Sequence, residues 1–437
     1  MNSATTPSRR LSASDAFFVA YQEHAGILMQ LGIEADLEGK LEQSDLENMI
    51  RELLLRWPHL GQTLRKNTLG ISWSGPVRAN KILRIANGDK PPAGWRNQSI
   101  DPFKEPPFQV FWVPNGRSNT VAFQAHHAAL DGESFFAVCS NAVRLLARPD
   151  DDGLPNGPFA TPRLRNLVSR KQLRPRRLAS MWRYLRWLNA EARSERSARI
   201  AMRACERGDT YSAERILSLE NFTKLKQRAA ELKSGPLWVC AAAWMRAIHH
   251  WNVDHDRASS SFVSLEVPVS LRRSRKRVFD SVGNFISPLV LCADATQPLP
   301  ALAGDLRQQL MKAMRSASHL GMPLFTAPGR FLPWSLFRRL AINPRTTGFA
   351  TSHFTWFEHD SDVRAEVARL SEGALRVTAH RIYSPVCLHM GAALAVVAWP
   401  DHAQMFLTYR GTALTATDAE RLLDLVVDEL FTKANQR

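Results

Sequence analysis

Residues 120–132 read Thr-Val-Ala-Phe-Gln-Ala-His-His-Ala-Ala-Leu-Asp-Gly, and everything else in the chain is best read outward from them. Thr120 to Ala125 is a short run of β-branched, aromatic and apolar residues and reads as a strand. It leads directly into His126-His127. After Asp131-Gly132, the segment Glu133 to Leu146 carries Phe136, Val138, Ala142 and Leu145 at helical spacing. The paired histidines and the Asp-Gly therefore sit on a loop between strand and helix, where side chains project into a cleft. A histidine of ordinary pKa, about 6.5, can take a proton from a hydroxyl or an amine at neutral pH. An acidic group four residues further on can orient a ring or lock the loop. Gly132 permits backbone conformations that other residues resist. Four such residues at this spacing read as a functional site rather than a chance turn.

The flanking sequence supplies the rest of an α/β pattern. Ala25 to Glu34 reads as a strand, and Ser44 with Glu47 predicts a capping box. The helix behind it carries Leu46, Met49, Ile50, Leu53, Leu54 and Trp57, and Pro58 ends it. Gly70–Trp73 and Phe108–Trp112 are further strands. Asp150 to Pro162 is rich in Asp, Gly, Pro and Asn and reads as a boundary loop. From Arg163 to Arg199 twelve Lys and Arg stand against only Glu191 and Glu195, and Leu178, Met181, Trp182, Leu185 and Leu188 form one apolar face. That is a basic amphipathic helix. The second half repeats the mixture: a helix over Leu237–Trp251, strands at Phe262–Val269 and Phe285–Cys292, and a helix over Ala303–Ser318. A hairpin then pairs Ala392–Trp399 with Gln404–Tyr409, and a last helix opens with a capping box at Thr417–Glu420. Strands and helices in both halves predict two α/β layers side by side, segmented as 1–160, 161–210 and 211–437.

Composition bounds the function classes. The 437 residues suit two cores of about 200 residues each. A net charge of +16 concentrates anions, among them nucleic acid, acidic headgroups, coenzyme A phosphates or an acidic carrier protein. No zinc finger, helix-turn-helix or RNA-binding aromatic signature is present, which argues against nucleic acid. The five cysteines are scattered without a Cys-x-x-Cys pair and read as reduced, buried thiols. Met1 to Arg10 lacks an apolar signal-peptide core, and no run approaches the roughly 18–20 apolar residues of a membrane span. A cytoplasmic protein is expected, with peripheral membrane contact through 163–199 as an option.

The segment His126-His127-Ala128-Ala129-Leu130-Asp131-Gly132 resembles the HHxxxDG signature of the acyltransferase superfamily with the chloramphenicol acetyltransferase-like fold. That group includes condensation domains of peptide synthetases and the wax ester synthase/diacylglycerol acyltransferases. Leu11-Ser12-Ala13-Ser14-Asp15-Ala16-Phe17-Phe18 is similar to the opening of the wax ester synthase branch, and Arg56-Trp57-Pro58-His59-Leu60 to one of its helix ends. Val267-Pro268-Val269-Ser270-Leu271-Arg272 and Val282-Gly283-Asn284-Phe285 resemble a pair of motifs shared with condensation domains. The likeness spans nearly the whole chain, and the histidine motif is its specific part. The Asp-Phe-Gly-Trp-Gly motif of the plant branch is absent.

The resemblance implies two subdomains, each a mixed sheet with flanking helices, forming a V around a central tunnel. It implies His127 as general base, with His126, Asp131, Gly132 and Arg272 structural at the active site and Asp131 paired with Arg272. Asn284 and Ser352 become candidates for lining the tunnel or stabilising an oxyanion, while His353 reads as structural. The acyl donor would be coenzyme A or a carrier protein, its phosphopantetheine thioester a substrate, and the acceptor a small alcohol or amine. No permanently bound cofactor and no metal are expected, because a thioester is already activated. Three competing readings remain: a glycerolipid acyltransferase using His126 and Asp131 as His-x4-Asp, a catalytically degenerate member of the same fold, and a non-catalytic basic scaffold that binds a membrane surface or a carrier protein. Leu332 to Arg339 adds a second apolar and basic patch to the last of these.

Overall fold

The computed structural model describes residues 9–68, 70–86, 94–150, 158–160, 172–191, 197–257, 260–272, 281–341, 351–359, 363–387 and 390–431. The chain begins with strand β1 (Arg9–Arg10), helix α1 (Ala13–Ala25), β2 (Gln30–Glu38), α2 (Gln43–Arg56), β3 (Thr63–Lys66), β4 (Ile71–Ser74), β5 (Leu83–Ile85), β6 (Phe108–Val113), β7 (Ser118–His126) and α3 (Gly132–Ala147). Helix α4 (Pro175–Glu191) crosses to the second half. There follow β8 (Thr210–Leu217), α5 (Leu219–Glu231), α6 (Pro236–Asp254), β9 (Phe262–Ser270), β10 (Ile286–Asp294), α7 (Leu299–Arg315), α8 (Gly321–Thr326) and α9 (Trp334–Ala341). The remainder is β11 (Ser352–Glu358), α10 (Val363–Leu370), β12 (Arg376–Tyr383), β13 (Ala392–Ala398), β14 (Ala403–Arg410) and α11 (Ala416–Phe431).

Two mixed sheets organise these elements, as expected. One runs β12-β2-β7-β6-β5 and the other β10-β9-β11-β13-β14-β8, with β1-β4-β3 as a small third sheet. Each large sheet is covered by helices over its own apolar core. Leu46, Leu53, Phe108, Phe123 and Val138 belong to the first core, and Trp244, Leu265, Phe354, Leu407 and Leu422 to the second. Sheet membership does not follow chain order throughout. Strand β12, which lies within 211–437, pairs antiparallel with β2 in the sheet of the first half. Val367 of α10 is buried in the first core. The two halves are thus tied by hydrogen bonds as well as by chain.

Several local boundaries differ from the sequence reading. Strand β2 starts at Gln30 rather than Ala25, because Ala25 ends α1 and Gly26, at φ +61°, caps that helix with its N–H on Gln22 O at 2.9 Å. Both predicted capping boxes lie two residues too late. The Asp45 carboxylate accepts the Glu42 N–H at 2.9 Å, and Thr415 and Asp418 cap α11 reciprocally at 2.7 and 3.0 Å.

The basic amphipathic helix exists as α4, but its apolar stripe is consumed inside the protein. Met181 packs on Leu271, Phe285 and Leu320, and Leu188 on Val290, Val386 and Met390. The Tyr184 hydroxyl accepts the Val290 N–H at 2.9 Å. Burying Met181 and Leu188 contributes roughly 2 kcal/mol each, so the helix is clamped across the edge strand β10. Of the predicted stripe, Trp182 is left exposed. Residues 163–171 and 192–196 of the basic stretch, and 151–157 and 161–162 of the boundary loop, lie outside the described residues. Cys205 is exposed where the sequence reading expects burial. Among the described residues no helix is long and apolar enough to cross a membrane.

Candidate active site

Strand β7 delivers the histidine motif. His126 is its last residue, paired in register with Gln30 of β2, and the His127 N–H continues the ladder to Met29 O at 2.7 Å. The chain then turns, with Ala129 N–H on His126 O at 2.9 Å, and enters α3 through Asp131 as N-cap, which accepts the Ser134 N–H at 2.8 Å. His126 is wholly buried, and its Nδ1 accepts the Ala128 N–H at 3.0 Å. Burial first, and then the neighbouring His127, push its pKa down to about 3. His126 is therefore a neutral structural ring that fixes the turn.

Asp131 and Arg272 form the expected pair. Arg272 Nη1 donates to Asp131 Oδ2 at 2.7 Å and Nη2 to Oδ1 at 3.1 Å, with both side chains almost wholly buried. The remaining donors and acceptors are also satisfied. Arg272 Nε reaches Ser281 O at 2.8 Å, Nη2 reaches Gly283 O at 3.0 Å and also bonds the Ser134 hydroxyl, and Phe285 N–H donates to Asp131 Oδ2 at 2.6 Å. A planar guanidinium held bidentate is geometrically rigid, so this cluster locks the loop of the first half to the β9–β10 connection of the second. Gly283 permits the close approach. Its φ is +148°, and a Cβ there would lie 2.3 Å from Ala160 O.

Gly132 serves a different purpose from the one its sequence suggests. It opens α3 without a positive φ. A Cβ at this position would lie 2.7 Å from Cζ of Phe357. The glycine makes room for a ring of β11, a cross-half packing constraint.

His127 faces the one large cavity found among the described residues, about 1480 Å³, walled mainly by apolar side chains. Phe18, Met29 and Phe136 from the first half and Pro268, Ser287 and Thr355 from the second contribute to it. The imidazole stacks on Phe18 with centroids 4.0 Å apart and planes 5° from parallel. Nδ1 is buried and bonds no other residue, which leaves Nε2 as the ring atom open to the cavity. Burial, chiefly, holds the His127 pKa below the ordinary value, with His353 adding to this and its own carbonyl, Asp131 and Glu266 opposing. The ring is consequently a free base at neutral pH.

Two sequence candidates do not line this cavity. Asn284 is buried with its Nδ2 donating to His127 O at 2.9 Å, so its amide is spent on the His127 backbone. Ser352 is buried and accepts from Trp244 Nε1 at 2.7 Å. Conversely, His353, which the sequence reading takes as structural, lines the cavity together with Glu266 and Thr355, on which that reading is silent. Helix α1 was also missed. The signal was Ser12-x-x-Asp15, which forms a reciprocal capping box ahead of Phe17, Phe18 and Tyr21.

Comparison with solved structures places this architecture. The trichothecene 15-O-acetyltransferase TRI3 from Fusarium sporotrichioides superposes with a TM-score of 0.73 at 13% identity, covering 97% of this chain and 95% of that one. The condensation domain of the monacolin K polyketide synthase MokA gives 0.68 at 12% identity over 98% and 97%. The EpoB cyclization-docking bidomain from Sorangium cellulosum gives 0.68 at 15% over 98% and 85%. No protein-family model matches the chain, and no curated protein matches it in sequence. The chain has the condensation-domain-like, chloramphenicol acetyltransferase-like fold.

Proposed function

We propose that the chain is an acyltransferase of condensation type. It moves an acyl group from a phosphopantetheine thioester, on coenzyme A or a carrier protein, to a hydroxyl or amine in lipid or secondary-metabolite biosynthesis. One observation carries this reading: a neutral imidazole with a single open nitrogen, Nε2 of His127, faces a large apolar cavity between two sheets. Nε2 takes the proton from the acceptor heteroatom as it attacks the thioester carbonyl. The tetrahedral intermediate collapses, the C–S bond breaks, and the thiolate recovers the proton from the imidazolium. Asp131, Arg272 and Asn284 act by position, holding the loop and its backbone. Apolar walls exclude water, which limits hydrolysis of the thioester.

The test is turnover of a panel of acyl thioesters and acceptors, with products read by mass spectrometry, in wild type and His127→Ala. The variant is expected to lose roughly 10²–10⁴-fold in rate while melting within a few degrees of wild type. Wild-type rates in folded His127→Ala would overturn the mechanism.

A second reading concerns location, and the surface around Phe325 favours it. Trp182 and Phe325 meet on the surface at 5.6 Å, and Phe331, Leu336 and Leu340 are also exposed. Phe325 and Leu340 line the cavity as well, and Arg330, Arg338 and Arg339 are close in sequence. An apolar, basic rim of this kind fits peripheral contact with an anionic membrane. Sedimentation with anionic vesicles should then be salt-sensitive, and absence of binding at low salt removes the reading.

A further inference from the structure

A second group of polar side chains faces the same cavity from the second sheet, and strand alternation puts it there. On β9, Val263 and Leu265 are core, so Glu266 faces the other way; on β11, Phe354 is core, so His353 and Thr355 share the opposite face. Glu266 and His353 are partners in the parallel register of β9 and β11. Glu266 Oε1 lies 3.4 Å from His353 Nδ1, and His353 Nε2 lies 2.6 Å from Thr355 Oγ1. Thr355 fixes the ring through Nε2, and the ring's Nδ1 edge lies beside the Glu266 carboxylate on the cavity wall. The group is near enough to His127 to act on its proton affinity, His353 lowering it and Glu266 raising it.

The charge of the wall runs against that of the whole protein. The chain carries +16. Yet the described residues lining the cavity include four carboxylates, Glu133, Glu266, Glu358 and Glu366, against two cations, Arg144 and Lys226. Arg144 is already held by Glu366 at 2.5 Å, and Glu133 faces Arg272 at 3.4 Å. Glu266 is the lining carboxylate whose field reaches His127.

We infer that the acceptor is an amine with a hydrocarbon body, captured as its ammonium ion by Glu266, with His353 and Thr355 positioning the carboxylate. This rests on the reading of His127 as the base of an acyl transfer. An ammonium has no lone pair and must be deprotonated before it attacks. Its N–H donors can reach Glu266 for anchorage while His127 Nε2 removes one proton. The amine nitrogen then bonds the thioester carbon and the C–S bond breaks. Of the two protons lost from nitrogen, one leaves on the thiol and one passes to solvent.

The experiment compares n-hexylammonium with n-hexanol, binding at pH 8 by calorimetry, in wild type, Glu266→Gln and His127→Ala. Hexylammonium is expected to bind wild type about tenfold more tightly than hexanol. Glu266→Gln should lose that margin with hexanol binding unchanged, and His127→Ala should retain it. Equal binding of the two compounds to wild type overturns the inference, and that comparison stands even if the Glu266 variant does not fold. So does undiminished hexylammonium binding by folded Glu266→Gln. The two readings fail separately: loss of transfer in His127→Ala without amine selectivity sinks only the amine site, whereas wild-type transfer in His127→Ala sinks the base whatever the binding shows.

Discussion

Removing the Arg272 guanidinium exposes how the two halves are joined. Arg272 is 3% exposed and Asp131 wholly buried, and between them they make bonds to Ser134, Ser281, Gly283 and Phe285. In Arg272→Ala the Asp131 carboxylate keeps the N–H groups of Ser134 and Phe285 but loses its counter-ion, and the carbonyls of Ser281 and Gly283 lose a donor. Breaking a buried pair from one side costs about 3–5 kcal/mol, because the surviving charge stays buried. For a unit of about 200 residues this corresponds to a fall in melting temperature of roughly 10 °C. Asp131→Asn should fall comparably, since it leaves the guanidinium buried beside a neutral amide. The double variant Asp131→Asn/Arg272→Ala should lose less than the sum of the singles, by roughly 2–3 kcal/mol. Thermal and urea unfolding measure the stabilities, and turnover should decline alongside them because the loop carries His127. Strict additivity, or single variants that melt within 2 °C of wild type, would refute the coupling.

Further outcomes follow from the same contacts. The kcat/KM profile should be flat above about pH 6.5 and fall in acid, because His127 must be unprotonated and burial lowers its pKa; an acid limb centred above 6.5 contradicts this. Stability should decline from pH 6.5 toward 3. His126 binds its proton only near 3 when folded, and His59 also sits well below 6.5, whereas both protonate near 6.5 when unfolded. His126 contributes a slope of about 1.4 kcal/mol per pH unit in that window, and His59 acts with the same sign. Asp15, whose carboxyl burial pushes up to about 7, works in the opposite direction and offsets part of this loss. A melting temperature unchanged between pH 7 and 5 would count against buried neutral rings. Gly132→Ala should cost about 1–3 kcal/mol through overpacking, and Phe357→Leu in the same chain should recover most of it; no recovery would mean the glycine is needed for some other reason.

The sequence alone determined what depends on neighbours along the chain. Strand β7, the loop and helix α3 are legible because a β-branched and aromatic run, a double histidine and helical periodicity after Asp131-Gly132 are local signals, and so are the hairpin β13–β14 and helix α2. The family likeness then carried the pairing of Asp131 with Arg272, 141 positions apart. Tertiary structure decided the rest. Nothing local reveals that β12 leaves its own half to pair with β2, that the stripe of α4 is spent on β10, or that Gly132 is small to admit Phe357. Asn284 reads as a tunnel residue in sequence, whereas its amide is spent on the His127 carbonyl. Glu266 and His353 drew no functional reading because each is an ordinary polar residue in its own strand. They become a pair only through the β9–β11 register, and contact between distant strands is set by packing, which no short stretch of sequence encodes.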